Sequence, residues 1–425
     1  MTLKIKSVLF LFIAINLARF PPLVFFPQSY IIPLATLAIL SFFYICIKMK
    51  LMWNIEIAIV CISYIVFIFN SGGANFELNR SVVLIYSFLV VFLLGGKVFR
   101  NVTCSTYVDN SFSFFTSNVI VLFFLVAPLS VLIQFIYPDI FNLYQKIIIY
   151  PPEFIRQNEI GGRYSGLLDA TGTGGSVIFS CLFLMCFIYL YAQGLLTRKI
   201  YHMPYAAVLM ICLFASFLTG FTGNIIVLLF LFFLMFFFSE NKFYFLLLKS
   251  PIVLSFSLIA MILLSLNFES KALSYINVLY TNGFDAFLNK DSMKVLLSFY
   301  ESAETNLNLA VGLGGWLGNS NAKSTFQLTD IGYINIINLY GMVGLINFYM
   351  TIFLLMSINI YQCLKLKVGD GTSVVLVVNC AIISLCGSLF LIQLKEFVYF
   401  SNSMYIIICF FIVLKANVFS KLKPS

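Results

Sequence analysis

The chain has 425 residues, 61% of them hydrophobic and only 10% charged, with a formal net charge of +9. A soluble domain carries roughly 25% charged residues, so this chain in water would leave wide apolar faces uncovered, and a soluble globular fold is excluded. A nucleic-acid binder is excluded as well, because the cations sit in short loops between apolar runs, as the positive-inside rule requires, and not on one basic face.

A helix needs about 20 apolar residues to cross the hydrocarbon core. Runs near that length recur in chain order at Ser7–Phe26, Ser29–Ile47, Leu51–Phe69, Ser81–Leu94, Phe114–Tyr137 and Gly172–Tyr191. They continue at Pro204–Leu218, Asn224–Phe238, Pro251–Leu266, Ile331–Ile358, Val374–Leu394 and Val398–Leu414. The expectation is an all-α polytopic membrane protein of about twelve spans. The stretch Pro204–Phe238 fits a broken pair of short spans or one kinked span. Lys4 and Lys6 precede the first run as in a signal peptide, but no small-x-small cleavage site follows, so that run reads as a retained span.

Two connections are long: 138–171 and 267–330. Loops beyond about 15 residues are usually functional or disordered. The second contains helix-like stretches at Lys271–Leu279 and Asp291–Glu304, the latter opening on the candidate N-caps Asp291 and Ser292. The short loops on one side collect Lys48, Lys50, Lys97, Arg100, Arg198, Lys199, Lys242, Lys249, Lys365 and Lys367, with Lys415, Lys421 and Lys423 in the tail. That asymmetry sets both termini in the cytoplasm and both long loops outside. Glu56 falls near the inner end of its span and needs no special role. The ten cysteines fall in spans or inner loops, away from the compartment where disulfides form. They read as small apolar residues. No repeat and no separate soluble unit is visible, so the chain is expected to form one integral membrane domain.

Three polar clusters interrupt this pattern. The first, Gly161–Gly175, closes the first long loop and opens a span. Its glycines allow close backbone approach to a ligand, a helix starting near Thr171–Gly175 suits an anion, and Arg163 offers a planar donor fork for phosphate. A Gly-rich turn with a snorkelling Arg explains the same residues. The second cluster runs through Gly312, Gly314 and Asp330 to Tyr333, Gly341 and Gly344. Asp330 stands where the second long loop meets a span, a place for a general base and equally for an N-cap. The third, Leu218–Asn224, reads as a tight turn.

On these residues the chain resembles the O-antigen polymerases and, more distantly, the O-antigen ligases. The resemblance covers the whole architecture and rests on loose motifs. They are an Arg followed after ten residues by a Gly (Arg163 and Gly174), a Gly-x-Gly late in the second loop (Gly312 and Gly314), an Asp-x-x-Tyr (Asp330 and Tyr333) and a Gly-x-x-Gly (Gly341 and Gly344). Two departures stand out. Thr222 occupies the place of an Arg often found in the third cluster, and the second loop has no Arg, with Lys294 where one is often found and Lys290 and Lys323 nearby.

The resemblance implies a metal-independent glycosyltransferase without a cofactor, in a bacterial inner membrane, acting at the periplasmic face. An acceptor sugar hydroxyl would attack the anomeric carbon of a glycan carried on undecaprenyl pyrophosphate, and the lipid pyrophosphate would leave. Asp330 would be the base and Arg163 would hold the pyrophosphate, with Arg156, Lys294, Lys323, Gly174, Gly312, Gly314 and Tyr333 around pyrophosphate or glycan. Its partners would be the lipid-linked oligosaccharide and membrane lipid, with room for a chain-length regulator and a flippase of the same pathway. The rival within the family is a ligase, which usually has a His where Asp330 stands. The rival outside it is a lipid-linked oligosaccharide transporter, for which charges at mid-membrane are expected; here the polar residues gather at one face.

Overall fold

The computed structural model describes residues 55–70, 125–150, 164–167, 172–192, 202–237, 332–366 and 373–392, with single positions at 152, 155, 156, 408, 411, 412 and 415. Among them every regular element is a helix. In chain order these are α1 (Ile55–Asn70), α2 (Leu125–Ile136), α3 (Ile140–Ile147), α4 (Gly172–Ala192), α5 (His202–Gly220), a 3-10 turn (Phe221–Gly223), α6 (Asn224–Phe237), α7 (Gly332–Lys365) and α8 (Ser373–Ile392). The first long loop therefore holds a short helix, α3. The runs expected at Ser7–Phe26, Ser29–Ile47, Ser81–Leu94 and Pro251–Leu266 lie outside the described residues, as does the whole second long loop before Gly332.

Among the described residues two stretches, Tyr340–Lys365 and Val374–Ile392, are long and apolar enough to cross a membrane. They use their apolar surface differently. α8 is enclosed by its neighbours from Val375 to Cys386 and forms the centre of the bundle. α7 keeps Val343, Ile346, Met350, Phe353, Leu354, Tyr361 and Leu364 exposed along one stripe. Burying such a side chain is worth about 1.5–3 kcal/mol. A stripe half exposed to water would forgo on the order of 5–10 kcal/mol, which rivals the net stability of a domain. Lipid removes that penalty.

Helix directions follow from side-chain pairs. A Cβ on Gly220 would overlap the Gly172 carbonyl, and Ser216 bonds to both Ser176 and Ser180, so α5 runs antiparallel to α4. A Cβ on Gly223 would overlap Ser176, and Phe187 meets Phe230 edge-on at 5.2 Å, so α6 runs parallel to α4. The chain thus reverses at the 3-10 turn, and Pro204–Phe238 is a helical pair. Residues Gly172, Ser176 and Ser180 recur every fourth position, the spacing that lets membrane helices approach closely. Gly220→Val is expected to lower stability by at least about 1–3 kcal/mol, because the added carbons meet backbone, which cannot rotate away. Thermal unfolding in detergent measures this.

α1 runs antiparallel to α7, with Ser63 bonded to Asn347 and Phe67 packed edge-on to Tyr340 at 4.9 Å. The expected single span Ile331–Ile358 is a different object. Its helix continues to Lys365, and it is broken at Gly341, where φ is 68° and ψ is −172°. The Tyr333 and Tyr349 rings stack at 5.6 Å, whereas a straight helix would hold them more than about 20 Å apart. The arm Gly332–Tyr340 therefore folds back along the helix that follows. That backbone conformation is open essentially to glycine alone and costs other residues about 1–3 kcal/mol. Gly341→Ala is expected to cost that much stability and to free the arm. Faster proteolysis between 332 and 340 checks it.

One end of the bundle, the glycine end, gathers the start of α4, the end of α5 and the start of α6, and Gly387, in the second half of α8, stands against Leu229 in the second turn of α6. Tyr333 joins it by donating its hydroxyl to the Phe390 carbonyl at 2.6 Å. The opposite end, the lysine end, holds Lys365 of α7 and Glu56 of α1.

Candidate functional site

The described parts of the polar clusters singled out in the sequence take part in three local arrangements. The first is a hydroxyl cluster at the α4–α5 crossing. Ser216 donates to the Ser176 carbonyl at 2.9 Å and receives the hydroxyls of Ser176 and Ser180, both at 2.9 Å. Ser176 in turn receives the Gly223 N–H at 2.8 Å. Each hydroxyl proton has one acceptor, and Ser216 is saturated. These serines are structural, and they hold the 3-10 turn against α4. Gly174 lies beside them in the first turn of α4, exposed, with no atom within 4 Å of where a Cβ would stand.

The second arrangement pins the segment that follows Arg163. Gly166 donates its N–H to Gln134 at 2.8 Å, Leu167 donates to the Ser130 hydroxyl at 2.8 Å, and the Tyr150 hydroxyl donates to the Gly166 carbonyl. Tyr164 meets Phe135 edge-on at 5.4 Å, and Phe135 meets Phe214 of α5 at 6.3 Å. Tyr144 of α3 completes the clamp by donating to the Ser130 carbonyl at 3.3 Å. Burial pushes its phenol above the usual range, which keeps it a donor.

The third is the fold-back arm of α7. Tyr333 is buried among Phe348, Tyr349 and Phe390. It anchors the arm, and Asp330 precedes that arm by two positions.

Of the residues expected at the site, Tyr333 and Gly174 lie at the glycine end. Arg156 is exposed on a helical turn beyond α3. Arg163, Lys294, Lys323, Gly312, Gly314 and Asp330 lie outside the described residues. Thr222 is buried in the 3-10 turn.

The sequence did not single out two features. Asn224 opens α6 at the glycine end with a side-chain oxygen that is closed to solvent and has no hydrogen-bond partner among the described residues. Only its position beside the glycine turn hinted at a role. At the lysine end, Lys415 donates to Glu56 and, at 2.8 Å, to the Asn359 side-chain Oδ1, while Asn359 Nδ2 donates to Glu56 at 2.6 Å. All three are fully buried. Lys415 was expected in an exposed cytoplasmic tail and Glu56 without a special role; instead the two form a buried ion pair, because each is the counterion the other needs inside an apolar bundle. Position 415 follows the buried residues Ile408, Phe411 and Ile412 at helical spacing, so the helix carries the lysine inward.

Cys181, Cys186, Cys212, Cys363, Cys380 and Cys386 are buried free thiols, the role expected for them. No model of a known protein family matches the chain, and no curated protein matches it.

Proposed function

We propose that this protein is an O-antigen polymerase, a glycosyltransferase that joins lipid-pyrophosphate-linked oligosaccharide repeats at the outer face of a bacterial inner membrane. The observation that carries the reading is convergence. Tyr164 directly follows Arg163, and Gly332 follows Asp330 by two positions. The segment that begins at Tyr164 is tied through Phe135 to Phe214 in the last two turns of α5, and the segment that begins at Gly332 is tied to Phe390 at the end of α8.

In this reading the glycine end faces the periplasm and both termini are cytoplasmic. Asp330 accepts the proton of the attacking sugar hydroxyl. Arg163 stabilises the charge that develops on the departing pyrophosphate, with Lys294, Lys323 and Arg156 as further cations. Fixed donors aimed at developing charge commonly supply more of the rate enhancement than any other single effect. Tyr333 holds the arm behind Asp330. Thr222 supplies no cation where the resembled family often has an Arg, so Arg163 bears more of the pyrophosphate charge here.

The test is polymer formation by the purified full-length protein with a defined lipid-linked repeat unit, added from outside to reconstituted liposomes. A ladder of multiples supports the reading. Transfer only to a lipid A-core acceptor would make the protein a ligase, and translocation without bond formation would make it a transporter.

A further inference from the structure

We infer that α3 is a membrane-surface helix: the face formed by Ile140, Leu143 and Ile147 seats in lipid beside the end of α2, and this contact holds the core of the first long loop against the bilayer. The inference stands on the membrane character of the chain and is independent of the polymerase reading. At 3.6 residues per turn α3 has three sides. Phe141 and Tyr144 share one, which is buried and packs with Ile148, Tyr150 and Leu167. Asn142 and Lys146 share a second, which is polar and exposed. Ile140, Leu143 and Ile147 share the third, which is apolar yet open: Leu143 is 52% exposed and Ile147 is 40% exposed. A helix this short does not stand on propensity alone, and the loop core supports it along one side.

Three observations name lipid as the occupant of the open side. First, α3 is moored beside α2. Tyr144 donates to the Ser130 carbonyl, and Tyr150 donates to the Gly166 carbonyl, whose own N–H goes to Gln134. Ser130 and Gln134 both lie in the last two turns of α2. Second, the open face continues a stripe that α2 already presents. Val126, Leu129, Ile133 and Ile136 are exposed along one side of that apolar helix, and Ile140 comes about one turn after Ile136. Soluble proteins rarely leave so continuous an apolar surface open to water; beside a membrane span it meets acyl chains. Third, the rim is amphipathic. Tyr137 and Lys146 are both exposed at its edges, and such side chains collect at headgroup level. An apolar side, a polar side and a lysine between them are the pattern of a helix that lies in the plane of the interface. Because Tyr150 holds Gly166, lipid that seats α3 also fixes the depth of residues 164–167, which directly follow Arg163.

The experiment places a photoreactive benzophenone side chain in turn at Leu143, Ile147 and Asn142 of the full-length protein. Each protein is reconstituted into vesicles of phosphatidylethanolamine and phosphatidylglycerol and irradiated. Mass spectrometry is expected to find lipid adducts from positions 143 and 147 and none from 142. Crosslinks from 143 and 147 to a second chain, or to another part of the same chain, would give the face to protein and overturn the inference. Equal lipid adducts from all three positions, or none from 143 and 147, would overturn it as well. In the same vesicles Leu143→Asp with Ile147→Asp is expected to speed backbone hydrogen exchange across 140–150 about tenfold or more, because each apolar side chain withdrawn from lipid forfeits its burial. Exchange in α4 and α6 is expected to stay at the wild-type rate. Wild-type exchange across 140–150 in this variant would count against the lipid seat. Polymer formation enters neither measurement.

Discussion

Cells carrying Arg163→Ala in place of the wild-type chain are expected to make lipopolysaccharide with a single repeat unit and no ladder, while the protein remains folded in the membrane. Removing one preorganised donor from developing charge typically costs about 2.7–4 kcal/mol, or 100- to 1,000-fold in rate. Arg163→Lys should recover part of the loss, because an ammonium supplies charge but not the paired geometry of a guanidinium. Asp330→Asn should match the alanine variant, since an amide cannot take the hydroxyl proton. Gel analysis of lipopolysaccharide gives the phenotype, and size-exclusion chromatography of the purified variant controls for folding. An unchanged ladder in Arg163→Ala would sink the assignment.

The second large effect lies at the lysine end and concerns stability. Lys415→Met leaves Glu56 and Asn359 buried around a missing cation, and breaking one partner of such a pair costs about 3–5 kcal/mol. The double variant Glu56→Met with Lys415→Met should recover part of that loss, because two apolar side chains need no counterion, with the orphaned Asn359 side-chain oxygen costing about 1–3 kcal/mol of the remainder. Thermal unfolding of the three proteins measures the difference. If the double variant is as unstable as the single one, the ion pair is not the origin of the effect.

The helices that sequence placed well share one property. The runs at Gly172–Tyr191, Asn224–Phe238 and Val374–Leu394 contain no charged residue and are bounded by glycine, polar or charged residues, so hydropathy alone marks their ends. The reversal at Gly341 was invisible for the complementary reason. It occurs inside an apolar run without a proline, and nothing in composition distinguishes a glycine that packs from one that turns the chain. Gly341 and Gly344 were legible only as a spaced motif, and the packing of Gly344 against Tyr340 explains part of that spacing.

Long-range partners were illegible altogether. Glu56 and Lys415 are 359 positions apart. Each alone looks like a charge at the end of a span, and only folding brings them together. The glycines of 161–175 had two readings, ligand cradle or Gly-rich turn, and the serines of α4 and α5 had none. The closed hydroxyl cluster assigns Ser176, Ser180 and Ser216 to packing, while Gly174 stays exposed beside them.

The enclosure of α8 also sets an order of assembly. This helix is made after α4, α6 and α7, yet it occupies the middle of all three. Until Ser373–Ile392 leaves the ribosome, the faces of α6 and α7 that pack on it have no protein partner there and are sealed only by lipid. Packing of those two helices is therefore completed late in synthesis, and a polypeptide stopped before Ser373 would present both faces to quality-control proteases.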